Sequence, residues 1–112
     1  MAFFVGSLLE REGGWETVKN WSDIFSGGEA QRFAMARLYL HRPAFAVLDE
    51  ASAAISVDIE SELMLGCHRR GITMTSVSHR QHLRKYHKRV LTVLGDGEGG
   101  WAQEDLSAEC VL

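Results

Sequence analysis

Proline occurs once and cysteine twice in this chain of 112 residues. Two cysteines, Cys67 and Cys110, do not make the disulfide framework of a small secreted domain, and a reducing, intracellular compartment is the consistent context. Long hydrophobic runs are missing too. The apolar stretch Phe3 to Leu9 is much too short to span a bilayer, and it has neither the basic flank nor the small-residue cleavage site of a signal peptide. Basic charge is not in excess: the formal net charge is -3, which argues against a nucleic-acid role. The local cluster Arg80, Arg84, Lys85, Lys88 and Arg89 reads as a solvated face or as trim on a phosphate-facing side. There is no internal repeat, low-complexity tract or domain linker, and 46% hydrophobic with 24% charged residues is the balance of an ordered chain. The expectation is one domain, residues 1–112, with a small core.

What the chain does contain begins at Ser26-Gly27-Gly28, directly ahead of Glu29 to Leu40, a stretch of strong helix formers. Ser26 is placed as the N-cap of that helix. Its first turn would offer unpaired N–H groups and the positive end of the helix dipole, and two glycines would let a phosphate come close to the backbone. On this tripeptide alone an ordinary Ser-Gly-Gly turn with a capped helix is the preferred reading.

Pro43 ends the helix, and Ala44 to Leu48 is then continuously apolar. A run without alternation reads as a strand buried on both faces, the kind found in parallel sheets. Asp49 and Glu50 follow at its carboxyl end, where open α/β sheets bind their ligands. The plainer alternative is a strand that stops at two solvated acids. Gly71 to Val77 reads as a second buried strand, with a helix over Val57 to Arg70 in between, so one βαβ crossover is expected. His79 follows the second strand, and parallel neighbours would open His79 and the two acids onto one crevice, where an imidazole can hydrogen-bond a terminal phosphate.

The order and spacing of these pieces resemble the C-terminal half of an ATP-binding cassette (ABC) transporter ATPase. The resemblance runs from about Leu9 to Leu106 and is strongest to the peroxisomal fatty-acyl subfamily D, through Glu12-Gly13-Gly14-Trp15, Trp21-Ser22-Asp23, His41-Arg42-Pro43, Lys85-Tyr86-His87 and Gly97-Glu98-Gly99-Gly100-Trp101. It implies an α/β fold, a partial P-loop NTPase with a parallel sheet. Ser26, Gly27, Gly28 and Glu29 match the signature motif, which contacts ATP bound mainly to the opposite subunit. Ala44 to Asp49 matches Walker B, with Asp49 helping to hold Mg2+; Glu50 matches the catalytic glutamate that orients the attacking water, Ser52 to Ser56 the D-loop region, and His79 the switch histidine. The resemblance further implies ATP and Mg2+ as cofactors, and a second nucleotide-binding domain and transmembrane domains as partners. It places the chain on the cytosolic face of the peroxisomal membrane, moving fatty acids or acyl-CoA.

Phe25 stands where the signature usually begins with Leu, and Ser where Thr is common in the D-loop region; both changes are mild. More consequential is what has no counterpart in the sequence: the Walker A loop G-x-x-x-x-G-K-[ST], the adenine-stacking aromatic, the Q-loop glutamine and the membrane-spanning helices. Walker A carries most phosphate contacts, so the isolated chain is expected to bind ATP weakly and to be inactive. An inert fragment or interaction module, or a half-domain complemented by another chain, are the competing readings.

The remaining patterns carry less. Cys67 shares a helical stripe with Ile55, Ile59 and Leu63 and is expected to be a buried thiol. His79-x-x-His82 with His87 lacks a matching ligand set for zinc. Gly95 to Gly100 fits G-x-G-x-x-G, but no helix pattern follows, so it reads as a turn between two final strands. Asn20-Trp21-Ser22 fits a glycosylation sequon that an intracellular chain would not use. Phe33, Leu38, Tyr39 and Leu40 are expected in a helix core. The expected order is a helical segment to about Glu16, a loop through Phe25, a helix to His41, then strand, helix and strand, a short helix over Arg80 to Lys85, and final strands.

Overall fold

Ser26 starts a helix because its side chain and that of Glu29 satisfy each other's backbone. The Glu29 N–H donates to Ser26 Oγ and the Ser26 N–H to Glu29 Oε2, both at 3.2 Å. This reciprocal cap removes two of the unpaired donors at a helix start. The computed structural model describes residues 2–106, with side chains from residue 6 onward; Cys110 lies outside the described residues. The chain divides into two units, one through Val77 and one from Ser78.

The first unit opens with α1 (Ala2–Glu12). It stops short of Glu16 because Gly13 and Gly14 take φ of 99° and 93°, a region open to glycine, and the Gly14 N–H returns to the Leu9 carbonyl at 2.8 Å. Within the expected loop one turn of helix, α2 (Trp21–Ile24), brings Trp21 and Phe25 into a stack with centroids 5.2 Å apart. Helix α3 (Gly27–His41) ends at Arg42, whose φ of 44° is left-handed and whose N–H caps the Leu38 carbonyl at 3.0 Å, just ahead of Pro43.

Strand β1 (Phe45–Asp49) pairs in parallel with β2 (Thr73–Val77), Phe45 opposite Thr73 and Asp49 opposite Val77, and α4 (Val57–Arg69) lies between them in the chain. The expected strand–helix–strand order is therefore present. The expectation that β1 is buried on both faces is not met. Leu48 is buried, whereas Phe45 and Val47 are 79% and 76% exposed. The pleat sends alternate side chains to opposite faces, so Phe45 and Val47 share the more exposed face of β1 and Ala46 and Leu48 the more covered one.

Helix α3 likewise turns a narrower face inward than its composition promised. Met35 and Tyr39, four residues apart on one stripe, are buried, while Phe33 and Leu40 are exposed. Tyr39 donates its hydroxyl to the Leu63 carbonyl on α4 at 2.6 Å, and the Arg70 guanidinium lies 4.0 Å over its ring. Burial pushes the Tyr39 phenol up to about 12. Gly66 on α4 is the residue that admits this ring, because a Cβ there would meet the Tyr39 hydroxyl. Cys67 is fully buried, as its stripe implied, and burial pushes its thiol up to about 11. Ile55, placed on the same stripe, is buried but sits in the loop before the helix.

The second unit starts with a 3₁₀ helix, Gln81–Tyr86, where a short helix was expected, and continues as an antiparallel ribbon of β3 (Arg89–Val93) and β4 (Trp101–Asp105). Asp96 shapes the turn between these strands, accepting the Glu98 and Gly100 N–H groups at 2.9 and 3.1 Å, which lowers its pKa. The Leu106 N–H reaches the Lys88 carbonyl at 2.7 Å, and Arg84 pairs with Glu104 at 2.5 Å. The described residues form a mixed helix and strand arrangement with two small sheets, one parallel and one antiparallel.

Candidate functional site

The carboxyl end of β1 delivers Asp49 and Glu50 side by side, Asp49 exposed and Glu50 half-buried. Glu50 leaves the strand with φ of 47°, a left-handed conformation that costs a residue with a Cβ on the order of 1 kcal/mol or more. The surroundings fix it there. Its N–H donates to the Val77 carbonyl at 2.9 Å, extending the parallel ladder by one bond. Its carbonyl accepts from the Ala53 N–H at 3.2 Å and from Gln31 Nε2 at 3.0 Å.

Gln31 lies one turn into α3, and its other carboxamide atom, Oε1, accepts the Ala54 N–H at 2.9 Å. One side chain thus spans the loop from Glu50 to Ala54. The start of α3 also packs on that loop: a Cβ on Gly28 would lie 2.8 Å from the Ala54 carbonyl oxygen, and one on Gly27 would lie 3.4 Å from the Ala54 side chain. Gly28 therefore has a packing reason to be glycine that the sequence did not disclose. The far side of the loop is tied to α4, where Ser52 donates its hydroxyl to Glu60, a carboxylate with no exposure at all. Left without a hydrogen-bond partner, that buried carboxyl would carry the desolvation penalty of an unsatisfied polar group.

Glu29, besides capping α3, takes two hydrogen bonds from the Arg11 guanidinium, at 2.8 and 3.1 Å. Those bonds pull its pKa down to about 2. Arg11 in turn binds Glu12 at 2.6 Å, and Lys19 holds the same Glu12 at 3.0 Å. Ser26, Gly27, Gly28 and Glu29 and the Asp49-Glu50 pair thus lie in one unit, joined through Ala54 and Gln31. An open groove of about 440 Å³ runs beside the two acids, lined by Gln31, Met35, Leu38, Val47, Asp49 and Glu50 among others. His79 is an exposed residue of the other unit, two positions beyond the end of β2.

Sequence reasoning passed over Arg11, Gln31 and the Ser52–Glu60 pair. Ser26-x-x-Glu29 was a readable capping pattern. The hydrogen bonds of Arg11 to Glu29 and of Gln31 to the loop join residues 18 to 23 positions apart, which no local period reports.

No family model matches the chain. Among curated proteins it is similar to the human ATP-binding cassette sub-family D member 3, with 47% identity over 107 residues, 96% of this chain and 16% of that protein. An uncharacterized ABC transporter ATP-binding protein of Synechocystis is 44% identical over 84% of the chain and 14% of its own length. The human lysosomal cobalamin transporter ABCD4 is 47% identical over 70% of the chain and 13% of its own length. The chain spans about a sixth of the length of the first of these relatives. At this identity along nearly its whole length, the chain belongs to the D subfamily of ATP-binding cassette transporters.

Proposed function

We propose that this chain is the C-terminal part of an ABC-type nucleotide-binding domain with a P-loop NTPase fold, and that it serves ATP binding and hydrolysis coupled to transport across a membrane. The observation that carries the reading is the loop after β1: two acids at the carboxyl end of a parallel strand, with Glu50 fixed through its main chain and Ala54 of the same loop packed against the glycine-containing start of α3. Glu50 orients and activates the attacking water. Asp49, an exposed carboxylate beside an open groove, is a hard oxygen donor of the kind that suits Mg2+. Mg2+, when bound, neutralises charge on the phosphates. Ser26, Gly27, Gly28 and Glu29 present the start of α3 to ATP held mainly by a second nucleotide-binding domain, and His79 contributes a hydrogen bond on the γ-phosphate side.

The open apolar face of β1, with Phe45 and Val47 exposed, supports a domain completed by further polypeptide that carries the Walker A loop. It supports equally the reading in which a separate chain supplies that half. No helix among the described residues is long and apolar enough to cross a membrane, so the transport reading needs transmembrane domains as partners. The peroxisomal membrane and a fatty-acid or acyl-CoA cargo rest on the subfamily resemblance. A relative named as a lysosomal cobalamin transporter matches at the same identity over a shorter span, which makes cargo and organelle the first details to test.

The test is an exchange. The human member 3 relative, with its matched 107 residues replaced by this chain, should hydrolyse Mg-ATP above the background of membranes lacking it. Background turnover from a correctly inserted, nucleotide-binding hybrid would contradict the proposal.

A further inference from the structure

Gln31 is neither an acid nor part of the signature tetrapeptide, yet its carboxamide is the side chain of α3 that reaches the main chain of the catalytic loop at two points. Nε2 donates to the Glu50 carbonyl at 3.0 Å, and Oε1 accepts from the Ala54 N–H at 2.9 Å. Donor and acceptor sit at the two ends of a planar amide, so the pair fixes both the orientation of the side chain and the span of the loop. The residue so held at one end, Glu50, is in the left-handed region at φ 47°, where a glutamate does not rest without outside support. The same helix carries Ser26 to Gly28 at its start, with no room for a Cβ between Gly28 and the Ala54 carbonyl. Displacement of α3 relative to β1 therefore acts directly on the Glu50 backbone.

We propose that Gln31 is a positioning residue for Glu50: its carboxamide holds the Glu50–Ala54 loop in the conformation that aims the Glu50 carboxylate, and it couples the placement of α3 to that aim. The inference rests on the reading of Glu50 as the residue that activates water. Gln31 is a poor candidate for direct chemistry, since both polar atoms of its amide are already used on the loop.

The effect is one of aim and not of affinity. A small misplacement of a reacting group lowers the rate of the chemical step strongly while leaving ground-state binding in place. In the exchanged human relative, Gln31→Met, which keeps the length of the side chain and removes both hydrogen bonds, should lower kcat about tenfold or more with KM for Mg-ATP within about twofold. In the 112-residue chain, the same substitution should speed hydrogen exchange at the amides of residues 51–56 and leave those of α4 unchanged. Gln31→Glu keeps the acceptor for Ala54 and loses the donor to Glu50; it should lower kcat as well, again at constant KM.

Glu50→Gln in the same hybrid separates the two claims. Turnover that survives Glu50→Gln overturns the functional reading itself. Turnover lost in Glu50→Gln but unchanged in both Gln31 variants overturns the positioning role. A Gln31→Met loss that tracks a general fall in Tm, with α4 exchanging faster too and Gln31→Glu at full kcat, also overturns it.

Discussion

Arg11 closes on Glu29 with two hydrogen bonds, one from each terminal nitrogen to each carboxylate oxygen, 2.8 and 3.1 Å long, across 18 positions of sequence. The same Glu29 carboxylate accepts the Ser26 N–H, so α1 is tied to the cap of α3 through one residue. The Arg11 bonds, more than the backbone bond, lower the Glu29 pKa from 4.5 to about 2. A depressed carboxylate pKa stabilises the folded chain above the unfolded value, and the contribution fades as pH falls from 4.5 toward 2. Arg11→Ala should raise the Glu29 midpoint toward 4.5 in a carboxyl-carbon NMR titration, and added salt should do the same in part, because the pair is exposed. A midpoint that stays near 2 in Arg11→Ala would place the cause elsewhere.

Gly28 gives a sharper packing prediction. With the Ala54 carbonyl oxygen 2.8 Å from where a Cβ would stand, Gly28→Ala forces backbone to move, whereas at Gly27 the nearest atom is a methyl at 3.4 Å. Chemical unfolding should show Gly28→Ala destabilised by about 1–3 kcal/mol and Gly27→Ala changed by much less. Equal costs would mean that the loop yields freely.

The open face of β1 predicts solution behaviour. Phe45 and Val47 alternate on one side of a strand at 79% and 76% exposure, with Val77 on the neighbouring strand at 55%. An uncovered apolar strand invites association. The 112-residue chain should self-associate in light scattering, and Val47→Lys should shift it toward monomer at unchanged Tm. Monomeric behaviour of the parent chain at high concentration would show that this face needs no cover.

Much of this was readable in advance where the signal is local. Ser26 ahead of a run of helix formers gave the start of α3, the apolar runs closed by Asp49 and by Val77 gave the parallel pair, and the glycines from Gly95 to Gly100 gave the turn of the ribbon. The errors share a cause. An apolar residue reports that a position tolerates burial, not what covers it, so Phe45, Val47, Phe33 and Leu40 read as core and are exposed. Glu60 is the converse, a polar residue on α4 with no exposure, which accepts a hydrogen bond from a serine eight positions away. Of the candidate site, the residue types and their order were legible, but the links that join them were not. Arg11 and Gln31 act through bonds between distant segments, and Gly28 is constrained by a backbone atom of the loop after β1.

The most direct measurement of the central claim is single-turnover hydrolysis of Mg-ATP by the exchanged human relative, with and without Glu50→Gln, alongside equilibrium nucleotide binding. Glu50→Gln should retain Mg-ATP binding and lose about 10²–10⁴-fold in the hydrolytic step, the range for removing a positioned general base. Hydrolysis at the parent rate in Glu50→Gln would contradict the assignment of this loop as the catalytic centre.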